Sequence, residues 1–149
     1  MRDEGYLLFR TNPDHDGGIH TAMNVWCRDP AAAKARYGPI ASWNTSGVTT
    51  MYQLFYNKRD FNEDISRWNV SNVVSVRSTF HGATSFNGDL SCWDVGQVRE
   101  MDGTFFNATS FDRQLGGAWA TSTATKNMMF YKSPGTIAGK TKDVVGTPE

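Results

Sequence analysis

An excess of charge of either sign is missing from this sequence. Fifteen lysines and arginines stand against fifteen aspartates and glutamates in 149 residues, leaving no net charge. Nucleic acid and anionic membrane both call for a basic excess gathered on one face, so neither is expected as a partner. Long apolar runs are also lacking, and no segment is expected to span a bilayer. The N-terminus, MRDEGYLLFR, carries acids at once and has too short an apolar stretch for a secretory h-region. Cysteine is scarce: Cys27 and Cys92 are too few and too irregularly placed for a disulfide framework, and they give no argument about redox compartment. The three histidines, His15, His20 and His81, stand apart without ligand spacing, so no metal site is expected from them. A catalytic Cys–His pair would need Cys92 beside a histidine, and the nearest, His81, reads as a helix end on another side of its repeat. No phosphate loop, serine elbow or nucleotide fingerprint occurs; Gly116-Gly117 reads as a turn. These absences leave no cofactor and no catalytic constellation to expect.

What the chain does have is a repeat. Trp43, Trp68 and Trp93 fix a period of 25 residues, and the apolar positions keep step with them. Each Trp is followed by Val48, Val73 or Val98, then Met51, Val76 or Met101, then Phe55, Phe80 or Phe105. A second aromatic comes at Phe61, Phe86 and Phe111, and an aliphatic at Ile65, Leu90 and Leu115. A fourth copy starts one residue late at Trp119 and then decays: Ala124 and Asn127 stand for the valine and methionine, while Phe130 and Tyr131 keep an aromatic. Decay is expected of a terminal repeat, which must stop presenting an apolar edge.

Read in order, residues 1–39 form an N-terminal arm and helical cap. The spacing of Ile19, Ala22 or Met23, and Trp26 is helical. Asp29-Pro30 starts a second helix, as N-cap and first residue, and Gly38-Pro39 stops it. Residues 40–131 hold the three repeats and the degenerate fourth. Alternation across Trp and the following Val or Thr predicts a short strand, and Ser46 and Ser71 stand where a helix N-cap belongs. The Val, Met or Val, and Phe stripe at spacings of three and four predicts a short helix. The expected fold class is therefore α/β: a short leucine-rich-repeat-like solenoid, parallel strands on one face and short helices on the other. Residues 132–149 read as a polar C-terminal tail.

The motif WNVSNVVSVRSTF...ATSFNGDLSCWDV, from about Ile40 to Leu115, resembles the BspA-like branch of leucine-rich-repeat proteins. The upstream NVWCRDPAAAKARYGPIASW is similar to the entry segment of versions from algae and other unicellular eukaryotes. The resemblance implies a cell-surface setting, with adhesion or protein binding as the role and no shared active site. Val76 for Met, Gly96 for Ser and Gln114 for Asp depart from its pattern.

On this reading the chain is a non-catalytic protein–protein interaction module whose partners are other protein chains. The expected binding face is the outward row of the strands, with Asn44 and Ser46, then Arg67, Asn69 and Ser71, then Asp94. Asn44, Asn69 and Asn107 each begin an N-x-Ser/Thr sequon and are the candidate glycosylation sites. Asp64 and Asp89, preceded by Asn62 and Asn87, make an oxygen-rich row that could take calcium, but Asn and Asp at a recurring turn position ordinarily bond the backbone, and that reading is preferred. The tryptophans alternate with polar residues and belong inside, which leaves a glycan partner unsupported. The alternative function is a permanent structural subunit of a large assembly such as a filament, a surface appendage or an organellar membrane complex. A Leu7-Leu8-Phe9 arm and the C-terminal tail would hold it there.

Overall fold

The structure, a computed structural model, describes residues 18–140; the Leu7-Leu8-Phe9 arm and the last nine residues lie outside them. Two helices come first. Helix α1, Ile19–Arg28, buries Ile19, Ala22, Met23 and Trp26 on one side. Helix α2, Pro30–Tyr37, is capped by Asp29, whose Oδ1 accepts the Ala32 N–H at 3.1 Å. It ends at Gly38, which takes φ +81°, open to a residue without Cβ. Trp26 and Tyr37 meet Trp43 edge-on, at 5.9 and 5.8 Å between ring centroids, so the helices close on the first repeat through its tryptophan.

From Ile40 the chain is built almost wholly of turns. One turn of 3-10 helix covers Ile40–Ser42, and β-turns recur at equivalent places in the next two units, closed by Trp68 N–H to Ile65 and Trp93 N–H to Leu90. The Val48, Met51, Phe55 stripe, expected to be helical, is not wound into a helix: Thr50 forms a bridge and residues 52–57 carry turns. Their alternate N–H groups leave the unit. Those of Met51, Gln53, Phe55 and Asn57 donate to the carbonyls of Ser75, Arg77, Thr79 and His81 in the next copy, at 2.8–3.2 Å. The same four rungs run from Val76, Ser78, Phe80 and Gly82 to the third copy, and from Met101, Gly103, Phe105 and Asn107 to the fourth. Each N–H in such a ladder finds a partner outside its own unit, so the backbone is satisfied without an α-helical i−4 acceptor.

The expected strand is displaced too. The parallel bridges fall at Thr50, Ser75, Glu100 and Thr125, several residues past the tryptophans, while residues 68–70 and 93–95 belong to no strand. What ties the tryptophans together is the indole. Nε1 of Trp68, Trp93 and Trp119 donates to the carbonyl of Ile40, Ile65 and Leu90 at 2.8, 3.0 and 3.0 Å.

Between the rungs lies an aromatic core. Phe55, Phe80, Phe105 and Phe130 stack at 5.0, 5.4 and 5.4 Å with nearly parallel planes. Phe61, Phe86 and Phe111 form a second stack beside it. Buried Thr79 and Thr104 send their hydroxyls to the carbonyls of Met51 and Val76, so polar atoms inside the stack are paired.

The fourth copy is less eroded than its sequence implies. Trp119 trails Trp93 by one residue, but helix α3, Ala118–Thr121, and the segment after it restore the period: Thr125 bridges Glu100, and Phe130 lies on Phe105. Lys126, not Asn127, therefore takes the place of Met101. The polar tail also begins later than expected. Ser133, Gly135 and Ile137 are buried, and β2, Thr136–Ile137, pairs in parallel with β1, Gln114–Leu115. Gly135 lies where a side chain would strike the rings of Phe111 and Phe130.

Candidate interaction surfaces

The outward row proposed from sequence is a row of turns. Asn44 Oδ1 accepts the Ser46 N–H at 3.1 Å and its hydroxyl at 2.7 Å; Asn69 does the same for Ser71 at 3.0 and 2.6 Å. Asp94 Oδ1 accepts the Gly96 N–H at 3.0 Å. Ser46 and Ser71 are thus turn partners and not helix caps, and these side-chain oxygens hold local backbone, as short polar side chains do in Asx turns. Asn69, Asp94 and Arg67 remain exposed, while Asn44, Ser46 and Ser71 are half-buried. Arg67 meets Asp89 and Cys92 at a depression of about 460 Å³ over Trp68. Of the three sequon asparagines, Asn69 is exposed; Asn107 is half-buried in its turn at φ +58°.

The oxygen-rich row is engaged in the same way. Asn62 Oδ1 accepts the Asn87 N–H, and Asn87 Oδ1 accepts the Asp112 N–H, both at 2.9 Å, which links neighbouring units edge to edge. Asp64 accepts the Ser66 hydroxyl and N–H, and Asp89 accepts the Ser91 N–H. Those hydrogen bonds hold both carboxyls below the usual carboxylate range. Among the described residues no three His, Cys, Asp or Glu side chains are gathered as a metal cluster. Cys27 and Cys92 are both free, exposed thiols.

A second row was not singled out from sequence. One residue beyond each core phenylalanine stands Tyr56, His81, Phe106 or Tyr131; the first three rings stack at 4.6 and 4.5 Å, and Tyr131 meets Phe106 at 4.9 Å with its plane tilted by 34°. Tyr56 is 38 % exposed, the other three are half-buried, and Lys132 Nζ caps the far end 5.4 Å from the Tyr131 ring. Exposed Tyr52 lies on the same turn as Tyr56. His81 is therefore no isolated solvent side chain: it sits between two aromatic faces, its Nδ1 is buried without a hydrogen-bond partner, and burial holds its pKa below the ordinary value. The signal was available as a second 25-residue period, masked because Tyr, His and Phe do not look alike. His20 does other work, with Nε2 2.8 Å from the Tyr52 carbonyl; as the partner is a carbonyl, Nε2 carries the proton.

Both rows belong to a recognised kind of repeat protein. The model of the family described as Mycoplasma protein of unknown function, DUF285, matches residues 26–140, and the chain belongs to that family. No curated protein and no solved structure matches the chain.

Proposed function

We propose that this chain is a non-catalytic protein–protein interaction module: a short solenoid of BspA-like leucine-rich repeats that holds rows of side chains in fixed register for a partner polypeptide. The observation that carries the reading is the aromatic row Tyr56, His81, Phe106, Tyr131, displayed at the surface of four successive units on a backbone locked by repeated hydrogen-bond rungs. Stacked repeats make an extended rigid surface, and partly exposed aromatics supply contact area at small entropic cost. The row of Asn44, Asn69 and Asp94 is the weaker face, because its acceptors already serve their own turns. A photo-crosslinking residue in place of Phe106, compared with one in place of Asn69, tests the choice in cells of the source organism. A discrete adduct from position 106 and none from 69 is the expected result; the reverse would return the binding face to the turn row.

The alternative is a permanent structural subunit, held in a large assembly in part by its C-terminal tail. The described portion of that tail is held by the chain's own body, through the β1–β2 pairing and buried Ile137. The native mass of the chain in a gentle extract separates the two readings. Co-migration with a fixed set of proteins far above 16.6 kDa would favour the subunit.

A further inference from the structure

The repeats agree closely just before their second phenylalanine, except in the first. Ala83-Thr84-Ser85 precedes Phe86 and Ala108-Thr109-Ser110 precedes Phe111, whereas Lys58-Arg59-Asp60 precedes Phe61. Three small neutral residues have become three charged ones. The stacking of Phe61 on Phe86 and the turn from Lys58 to Phe61 are the same as in the other units, so the fold does not demand the change.

All three substitutes line one cleft of about 470 Å³, where α1 and the start of α2 face the first unit. Its apolar part is exposed Pro30 with the edges of Trp26 and Phe61, both nearly buried. From the helix side come Asn24, Cys27 and Arg28, and from the repeat side Asn57, Lys58 and Arg59. Lys58 Nζ donates to Asn24 Oδ1 at 2.9 Å, which explains the lysine as a brace between helix and repeat. Nothing comparable explains Arg59. Arg28 and Arg59 are both exposed at the cleft, and among the described residues neither is held in a salt bridge. Cys27 is an exposed residue, yet the cleft wall shields its thiol in part, and that desolvation outweighs nearby Lys58 and raises its pKa, so it lines the cleft as a neutral group. Asp60 and Glu63 also line it, leaving three cations against two carboxylates.

We infer that this cleft is a binding site for a small molecule carrying a carboxylate or phosphate beside a planar apolar group, the anion held by Arg28 and Arg59 and the apolar part lying against Trp26 and Phe61. Two guanidiniums suit an anion with several oxygens, since each can take two oxygens of a carboxylate or a phosphate, and the volume falls in the range of small-molecule pockets. The inference stands apart from the aromatic row, and either can fail alone.

Titration of the isotopically labelled full chain with phenyl phosphate and benzoate, followed by amide, indole and guanidinium NMR signals, tests it. Benzylamine serves as the cationic control. At least one anion should shift the Trp26 indole, the Asn24 and Asn57 side-chain amides and the Arg28 and Arg59 Nε–H signals in a saturable way, and benzylamine should not. Arg59→Thr, which restores the residue of the other repeats, should weaken the anion at least ~10-fold while leaving the remaining spectrum intact, as should Arg28→Gln. Absence of saturable shifts with both anions, equal shifts with benzylamine, or unchanged affinity in both variants would overturn the site.

Discussion

Helix α1 and the first repeat unit start from the same sequence cue and end in different backbones. Ile19, Ala22, Met23 and Trp26 are spaced by three and four, as are Val48, Met51 and Phe55; the first set is wound into a helix and the second into a string of turns. In both, the apolar residues are buried, so the spacing reports which side chains go inside and not how the main chain carries them. Two things decide the backbone. Positive φ recurs at Gln53, Ser78, Gly103 and Met128, and again at Asn57, Gly82, Asn107 and Lys132, a left-handed conformation that an α-helix interior does not contain. A neighbouring copy also stands ready to take alternate N–H groups, which α1 lacks and the repeats have.

The largest effect should separate the two regions by size of loss. Phe80 touches Phe55, Phe86 and Phe105 at once, and it is fully buried. Phe80→Ala is expected to cost about 3–5 kcal/mol and to remove support from both adjoining units. Met23→Ala in α1 opens a cavity on one side of the cap only and should fall toward the low end of the ~2–5 kcal/mol range for such truncations. Urea unfolding of both variants measures the difference; a Met23 loss as large as that of Phe80 would make the cap, and not the stack, the keystone.

Backbone substitutions carry a sharper distinction, since turn and helix predict opposite signs. Gly82 has φ +71°, and a Cβ there would overlap Asn57 Oδ1. Gly82→Ala should destabilise by about 1–2 kcal/mol from the left-handed backbone alone, with a further steric part that Asn57→Gly in the same chain relieves, since Asn57 also has a positive φ. In a helix the same change would stabilise by about 1 kcal/mol. Ser78 is the complementary case at φ +53°, where Ser78→Gly should stabilise by about 0.5–1 kcal/mol in a turn and destabilise in a helix. Thermal melts of the two variants read the signs directly.

Much of the burial pattern was legible in the sequence. The 25-residue period named the tryptophans, both phenylalanines and the aliphatic position, and all of them lie inside. The two cap helices were readable because Asp29-Pro30 and Gly38 punctuate them locally. The turns were harder to read, because Gln53, Ser78 and Met128 tolerate a positive φ that their identities do not advertise; only Gly82, Gly103 and the asparagines hint at it. The fourth unit misled because a gain at Gly116-Gly117 is offset by a loss before Thr125, a compensation visible only once the bridge to Glu100 is seen. The aromatic row escaped notice since its physical kinship, flat rings that stack, is not a likeness of residue names.

That row allows the finest test, because its one titratable imidazole differs from its neighbours in little else. Tyr56 and Phe106 cover the two faces of His81, and burial favours the neutral ring, so the folded pKa lies below the unfolded value near 6.5. Above that value the imidazole is neutral in both states and its ionisation makes no contribution to stability. As the pH falls through it, the unfolded chain takes up a proton that the folded chain resists, and stability is lost until the folded pKa is reached. Asp64 and Asp89 act further toward acid: their folded carboxyls titrate below the usual range, so their contribution is present above the unfolded value and is lost as the pH drops through the folded one. His81→Phe should therefore flatten the stability profile near pH 6.5 while leaving the more acidic decline in place. At neutral pH the variant should be equal to the parent or up to about 1 kcal/mol more stable, since it removes a buried, unpartnered Nδ1 and completes an all-aromatic row. Urea midpoints taken between about pH 5 and 8 measure both. A slope that survives the substitution would place the titrating group elsewhere and would leave the row as packing alone.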